Sequence, residues 1–418
     1  MSSNSKSLFF GLLYGVSLIL LALLFFPRLL AKVRTGLGRQ SLYQKLGFGL
    51  PRNPQGIGAF WVHAVSLGET KAVAPLIEQI KKNYPSIPFI ITSTTDTGYK
   101  EAEKLYPDAI RFFLPWDFKW IMAPLVKFYL PKMIILSETD LWYNLLKAGK
   151  EVGAKTAVVS AKLSERSLDR YQRFPYFSQK IFGTLDLILA QNETYAKRFL
   201  SLGLAPEKVK VTGNLKFDTK FPSFSLEQLE ETRQKIGLKE GEQLVVLAST
   251  HAPEEEWLLE KLAPLHAKIA LVPRHPYRFD EVAKLMPEAR RFSSPQDTSS
   301  KWILVDAMGQ LLKIFALADV AVVCGSFNDK IGGHNLLEPS AYKVPVLFGP
   351  HVYTQFEMEE LILSHNAGEK ITIDTLLPTL TDLLQNPEKR KAMGENGFSL
   401  ISKLQGIGKK TWDAILKN

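Results

Sequence analysis

From Gly58 onward the chain is a succession of short apolar runs, each closing on a polar or glycine-bearing turn and followed by a longer amphipathic stretch. A run too short for a stable helix and apolar on both faces reads as a strand covered on both sides. Strands separated by helical segments pair in parallel, because the crossover needs a helix's length of chain. The pattern predicts strands at Ala59 to Val65, Phe89 to Thr92, Arg111 to Leu114, Met133 to Leu136, Thr156 to Val159, Leu185 to Leu189 and Val209 to Thr212. The first is followed by a predicted helix from Leu67 to Lys82. A second series starts at Gln243 to Ser249 and continues at Lys268 to Val272, Trp302 to Val305, Val320 to Cys324 and Val344 to Phe348.

Between the two series, Phe221 to Gly237 carries Pro222, a capping box from Ser225 to Gln228 and a polar helix from Leu226 to Lys235. At 418 residues the chain exceeds what one hydrophobic core usually fills. We therefore expect two doubly wound α/β domains facing a cleft, residues 35–220 and 242–418, joined by a linker at 221–241. The C-terminal helices after Asp382 are grouped with the second domain, and packing against the first is left open.

Residues 1–34 are of another kind. Leu8 to Phe26 is an uncharged, mostly Leu, Phe and Ile run of 19 residues, enough at ~1.5 Å per residue to cross roughly the ~30 Å core of a bilayer. No small-residue cleavage site follows; Pro27-Arg28-Leu29-Leu30 does. No acidic residue precedes Glu69, and Arg28, Lys32, Arg34 and Arg39 follow the run closely. The expectation is an uncleaved membrane anchor, with its basic flank on anionic lipids and the domains on the cytoplasmic side. The net charge of +10 is thus assigned to a membrane surface, and no nucleic acid partner is expected.

Several strand ends carry groups able to do chemistry. His63-Ala64-Val65-Ser66-Leu67-Gly68-Glu69 reads as a capping box, yet glycine in a first helical turn costs ~1 kcal/mol against alanine and suggests close approach of another molecule. A carboxylate at Glu69 is placed to accept a hydroxyl proton. Ser137-Glu138-Thr139-Asp140 and Thr212-Gly213-Asn214-Leu215-Lys216-Phe217-Asp218 end two more strands. In the second series Pro273-Arg274-His275-Pro276 offers a planar guanidinium for a phosphate, and Asp306-Ala307-Met308-Gly309-Gln310 brings backbone toward a base.

Gly332-Gly333-His334-Asn335-Leu336-Leu337-Glu338-Pro339 lies between two apolar runs. It reads as a glycine turn opening a short helix, whose start presents N–H groups to an anion and whose Glu338 binds a diol. The lone Cys324 excludes an intramolecular disulfide and cysteine metal clusters, and the seven histidines show no paired ligand spacing. A P-loop and an early GxGxxG are both missing, which argues against an NTPase or a nicotinamide enzyme.

These six motifs, in this order, resemble the bacterial 3-deoxy-D-manno-octulosonic acid (Kdo) transferases of lipopolysaccharide assembly. The resemblance covers essentially the whole chain. It implies a GT-B fold of two Rossmann-like domains with an N-terminal anchor, and inverting transfer of Kdo from CMP-Kdo to a lipid A precursor (lipid IVA). It implies no cofactor and no metal. Carried over, Glu69 matches the general base, and Glu138 and Lys216 match groups that stabilise the transition state. Pro273, Arg274, Met308, Gly309, Gln310, Asn335, Leu336, Leu337 and Glu338 match the CMP-Kdo-binding segments. Asp140 and Tyr143 depart from the family's usual Glu and Pro, and Leu336 from its usual Pro, which leaves Asp140 a weak site residue. The alternatives are a GT-B enzyme using a UDP-sugar on a lipid-linked acceptor, or a non-catalytic membrane-anchored nucleotide- or lipid-binding protein. Oligomeric state is not legible.

Overall fold

A computed structural model describes residues 10–20, 23–24, 33, 35–294 and 300–417. The chain divides into two compact units, Met1–Thr219 with Gln405–Asn418, and Lys220–Leu404. Each is built on a seven-stranded sheet whose strand pairs are all parallel.

In the first unit the strands are β1 (Phe60–His63), β2 (Phe89–Ser93), β3 (Ile110–Phe113), β4 (Met133–Ser137), β5 (Lys155–Ala161), β6 (Leu187–Ala190) and β7 (Val209–Val211). Their order is β3-β2-β1-β4-β5-β6-β7. The order reverses between β1 and β4, so the chain leaves these neighbours toward opposite sides and opens a crevice at their carboxyl ends. Alternate strand residues, Trp61, Ile90, Phe112, Ile134 and Val158, share one core with Tyr129 and Phe182. At ~1.5–3 kcal/mol per fully buried large side chain, that layer fixes the register.

The second unit repeats the plan with β8 (Leu244–Thr250), β9 (Lys268–Pro273), β10 (Arg290–Arg291), β11 (Trp302–Leu304), β12 (Val320–Val323), β13 (Val346–Phe348) and β14 (Gly368–Lys370). Here the order is β10-β11-β9-β8-β12-β13-β14, and the reversal falls between β8 and β12. Val245 and Leu247 enter one core while Leu244, Val246 and Ala248 enter another, so both faces of β8 are apolar. The two edge strands β10 and β14 escaped the sequence reading, because a short strand paired on one side can be as polar as Arg290-Arg291.

Three boundaries differ from expectation. The helix predicted over Leu67 to Lys82 is two helices, Leu67–Ala72 and Ala74–Asn83. Pro75 in the first turn of the second removes an N–H and crowds the carbonyl four residues back, which ends the first helix. The expected linker 221–241 is part of the second unit: the Leu226–Ile236 helix delivers Ile236, and Leu238 follows, into its core. The final helix, Ile407–Leu416, belongs to the first unit. Trp412 packs beside Phe60 and Tyr84, and the Asp218 carboxylate accepts from the Gly406 and Gly408 N–H groups at 2.8 and 2.6 Å. A Cβ on Gly408 would lie 2.7 Å from the Pro75 carbonyl carbon, so only glycine admits this packing.

The expected anchor, Leu8 to Phe26, falls partly outside the described residues, as do Arg28, Lys32 and Arg34 of its flank. Residues 10–20 are helical, with Phe10 buried against Tyr143 and Phe177 and with Leu12, Val16, Ile19 and Leu20 exposed. Among the described residues no helix is long and apolar enough to cross a membrane.

Candidate active site

In the first unit the reversal point places two loops side by side. β1 ends at His63, whose ring is fully buried and bonded to the Thr92 backbone and hydroxyl. Burial pushes this imidazole down to about 3, so it is a neutral structural group. Three residues on, Ser66 caps the Leu67–Ala72 helix. The Glu69 N–H is 3.4 Å from the Ser66 oxygen, and the Glu69 carboxylate accepts from the Ser66 hydroxyl at 3.0 Å and the Val65 N–H at 3.1 Å. Ser66 is a true N-cap, but the expected box is not closed, because the carboxylate takes the Val65 N–H and the Ser66 hydroxyl in place of the Ser66 N–H. These bonds hold the carboxylate at the carboxyl end of the sheet. Burial raises the Glu69 pKa; the Val65 N–H opposes this, and the nearby Glu138 charge raises it further.

Glu138 follows β4 and has a left-handed backbone, φ 57°, rare for a residue with a side chain. Its carboxylate pairs with Lys162 at 2.7 Å. Glu69 and Glu138 share the lining of a cavity of ≈ 670 Å³. Asp140, Lys162 and Arg170 add charge to it; Leu163, Tyr171, Phe174 and Phe177 form its apolar side. Lys216 is exposed in a turn against the Leu67–Ala72 helix and does not line this cavity. Gly68 has no internal reason to be glycine: its φ is ordinary, and an added Cβ would meet only the Ser66 oxygen, at 3.9 Å.

The second unit has a smaller cavity, ≈ 290 Å³, at its own reversal point. Ala248 and Ser249 of β8 and Val323 of β12 floor it, and Arg274, Gly309, His334, Asn335 and Glu338 contribute polar groups. Ser249 is left-handed, φ 59°, at an irregularity where the β8–β9 register shifts. Asn335 donates to Glu338 at 3.2 Å. Burial raises the Glu338 pKa, opposed by that hydrogen bond and by the Arg274 charge.

The glycine turn is built differently from the expectation. No helix starts at Asn335; its side chain accepts from the Leu337 N–H at 3.0 Å, and a four-residue 3-10 turn follows at Pro339–Tyr342. Leu336 and Leu337 are buried, 0 % and 3 % exposed, so their part is packing. Gly332 and Gly333 have φ near +83°, and a Cβ on either would press on Tyr353, Thr354 or Val352 at 2.6–3.0 Å. What approaches these glycines is the chain's own segment 352–354, which the Thr354 hydroxyl ties to the Gly332 carbonyl at 2.7 Å. The glycine that faces open space is Gly309, φ +76°, with nothing within 4 Å of a Cβ. Pro273, Met308 and Gln310 adjoin the cavity in sequence but are absent from its lining.

Family comparison meets this geometry directly. A family model for 3-deoxy-D-manno-octulosonic-acid transferase (Kdotransferase) matches residues 40–219. The 3-deoxy-D-manno-octulosonic acid transferase of Chlamydophila psittaci is 34% identical over 96% of this chain and 95% of its own length. That of Chlamydia trachomatis serovar A is 34% identical over 86% of this chain and 85% of its own. The chain belongs to the Kdo transferases. A solved glycosyltransferase from Rickettsia africae, 16% identical, covers 86% of this chain and 99% of its own with a TM-score of 0.56, a likeness of fold alone.

For a Kdo transferase, the sequence reading missed several lining residues. His334 stood inside a quoted motif without a role. Its Nε2 lies 2.8 Å from Nε2 of His251, the rings stacked at 5.0 Å. Burial, then neighbouring positive groups, pushes both down to about 4, so they are neutral near pH 7 and share one N–H between them. Glu254 was missed too: buried, it accepts from the N–H groups of Gly325, Phe327 and His251 and so clamps the loops that carry the histidines. Its only sequence signal is a glutamate in a first helical turn, which is common. At the start of the 306–310 segment, the Asp306 carboxylate accepts from Arg291 and Ser293.

Proposed function

We propose that this Kdo transferase moves Kdo from CMP-Kdo onto a hydroxyl of a lipid A precursor, with inversion at the anomeric carbon. The observation that carries the mechanism is Glu69: a carboxylate held by its own helix cap at the sheet's reversal point, lining a cavity, with its proton affinity raised by burial. In the transfer, the acceptor hydroxyl gives its proton to Glu69 and its oxygen forms the new bond to the anomeric carbon. The bond from that carbon to the phosphate oxygen breaks, and CMP leaves with the electron pair. Arg274 counters the charge growing on the phosphate, Gly309 lets backbone approach the nucleotide, and Glu338, set by Asn335, accepts from the ribose hydroxyls. Glu138 and Lys216 act on the developing sugar charge and its carboxylate. Pro273, Met308 and Gln310 border the nucleotide.

We assign the protein to the inner membrane, with the catalytic units on the cytoplasmic side. Support comes from the apolar run Leu8 to Phe26, its basic flank and the exposed apolar stripe of residues 10–20.

The test is incubation of the full chain with CMP-Kdo and tetraacylated lipid A precursor, following CMP release and lipid mass. A mass gain equal to Kdo is expected; neither CMP release nor mass gain beside an active control rejects the reading. Thermal stabilisation by CMP and not by UDP is expected, and the reverse would favour a UDP-sugar donor.

A further inference from the structure

Residues 10–20 do more in this structure than precede a domain. Their helix is docked on the first unit through one face. Phe10 meets Tyr143 and Phe177 at ring distances of 4.9 and 4.8 Å, and Tyr14 meets Tyr143 at 5.4 Å. The Tyr14 hydroxyl donates to the fully buried Asp117 carboxylate at 2.7 Å. That carboxylate also accepts from the Asn144 and Leu145 N–H groups at 2.7 and 2.9 Å, so it fixes the helix that follows β4. One buried acid thus ties the N-terminal segment to the element leaving the reversal point. Burial pushes the Asp117 carboxyl up to about 7, and the three hydrogen bonds oppose that shift by favouring its ionised form.

The docked helix is also a wall of the cavity that contains Glu69. Leu13 and Ser17 line it with Glu69, Glu138, Lys162 and Arg170, the Ser17 hydroxyl donating to its own helix at the Tyr14 carbonyl, 2.7 Å away. The apolar side is completed by Tyr171, Phe174 and Phe177, and Phe174 is 64% exposed. A cavity lined both by carboxylates and cations and by apolar side chains suits an amphiphile. Outward, Leu12, Val16, Ile19 and Leu20 recur every three to four residues and stay exposed, a stripe that water does not favour. Leu13, 51% exposed, neighbours that stripe on the helix and also lines the cavity.

We propose that residues 10–20 form part of the acceptor site, with Leu13 and Ser17 receiving an acyl chain of the lipid acceptor. Tyr14, through Asp117, is the positioning residue that holds them there. The inference rests on the acceptor assignment above, yet makes a separate claim: a helix that only tethers the enzyme has no reason to bear on acceptor affinity once the protein is in detergent.

The experiment uses the full chain in detergent micelles. Tyr14→Phe and Leu13→Gln are expected to raise KM for the acylated acceptor about five- to ten-fold, with kcat at saturation and KM for CMP-Kdo held within about two-fold. Turnover of a deacylated acceptor should be the same in wild type and variants, and Leu226→Ser, 87% exposed on the second unit, should match wild type throughout. An unchanged acceptor KM in both variants overturns the proposal, as does an equal loss with the deacylated acceptor. A second measurement is independent of turnover. Cys324, the sole cysteine, is fully buried, so Leu13→Cys can be labelled selectively with a maleimide. The acylated acceptor, without donor, should slow labelling several-fold where the deacylated one does not. Equal labelling rates overturn the proposal even if Kdo transfer is confirmed, whereas protection without Kdo transfer leaves the lipid site standing and rejects the donor assignment.

Discussion

Glu69 is where cap and chemistry coincide, and the same hydrogen bonds serve both. Burial drives its carboxyl up from the ordinary 4.5, the Val65 N–H draws it back, and Glu138 pushes it up again. A base acts only when ionised, so transfer rises with pH through this raised pKa, and the acid limb of kcat/KM should lie above 4.5. Glu138→Gln removes a negative neighbour and should move the limb down; a limb that stays put would detach it from this pair. Glu69→Gln should keep CMP binding and lose about 10²- to 10⁴-fold in transfer. The linkage has the opposite sign. Folded Glu69 holds its proton more tightly than the unfolded chain does, so its contribution to stability falls as pH rises from 4.5 through the raised value. Ser66 and Glu69 were legible because a helix N-cap and the carboxylate in its first turn are local in sequence. Arg170 and Phe174 were not, since they reach the same cavity from a helix and turn a hundred residues on, and nothing in their own neighbourhood marks it.

Among the elements, the glycine loops of the second unit show how a motif is read correctly for the wrong reason. Glycine was required at 332 and 333, but by a positive φ and by segment 352–354, contacts that lie some twenty residues away in sequence. The helix expected after them fails because Asn335 turns its side chain onto the Leu337 N–H, an Asx turn that competes with helix initiation. Gly309 has the positive φ without the crowding. The two loops should therefore separate on substitution. Gly332→Ala meets both a left-handed penalty of about 1–2 kcal/mol and a clash 2.6 Å from the Tyr353 ring, so it should lower the melting temperature most. Gly309→Ala bears the penalty alone, but its methyl enters the cavity, so calorimetry with CMP should show weaker binding at a smaller stability cost. Equal effects on stability and on CMP binding would mean that the two glycines serve one purpose.

On the scale of the whole molecule, alternation of apolar runs and amphipathic stretches was enough to read two parallel sheets, because the inner strands are buried on both faces and advertise it, as the edge strands β10 and β14 do not. What it left open was which unit owns the chain's end, since ownership depends on surfaces far apart in sequence. The Ile407–Leu416 helix is held to the first unit by Trp412 against Phe60 and Tyr84, by Asp218 at its start and by the bare backbone of Gly408 on Pro75. Each unit has its own apolar core, so heating should give two transitions, of which CMP raises the one that belongs to the second unit. Trp412→Ala removes a side chain that is 2% exposed, a loss of about 3–5 kcal/mol by the usual cost of a cavity of that size. That loss should fall on the CMP-insensitive transition and leave the CMP-sensitive one in place. A Trp412→Ala protein in which the CMP-sensitive transition drops by the same amount would show that the last helix supports both units, and that the division at residues 219 and 405 does not hold in solution.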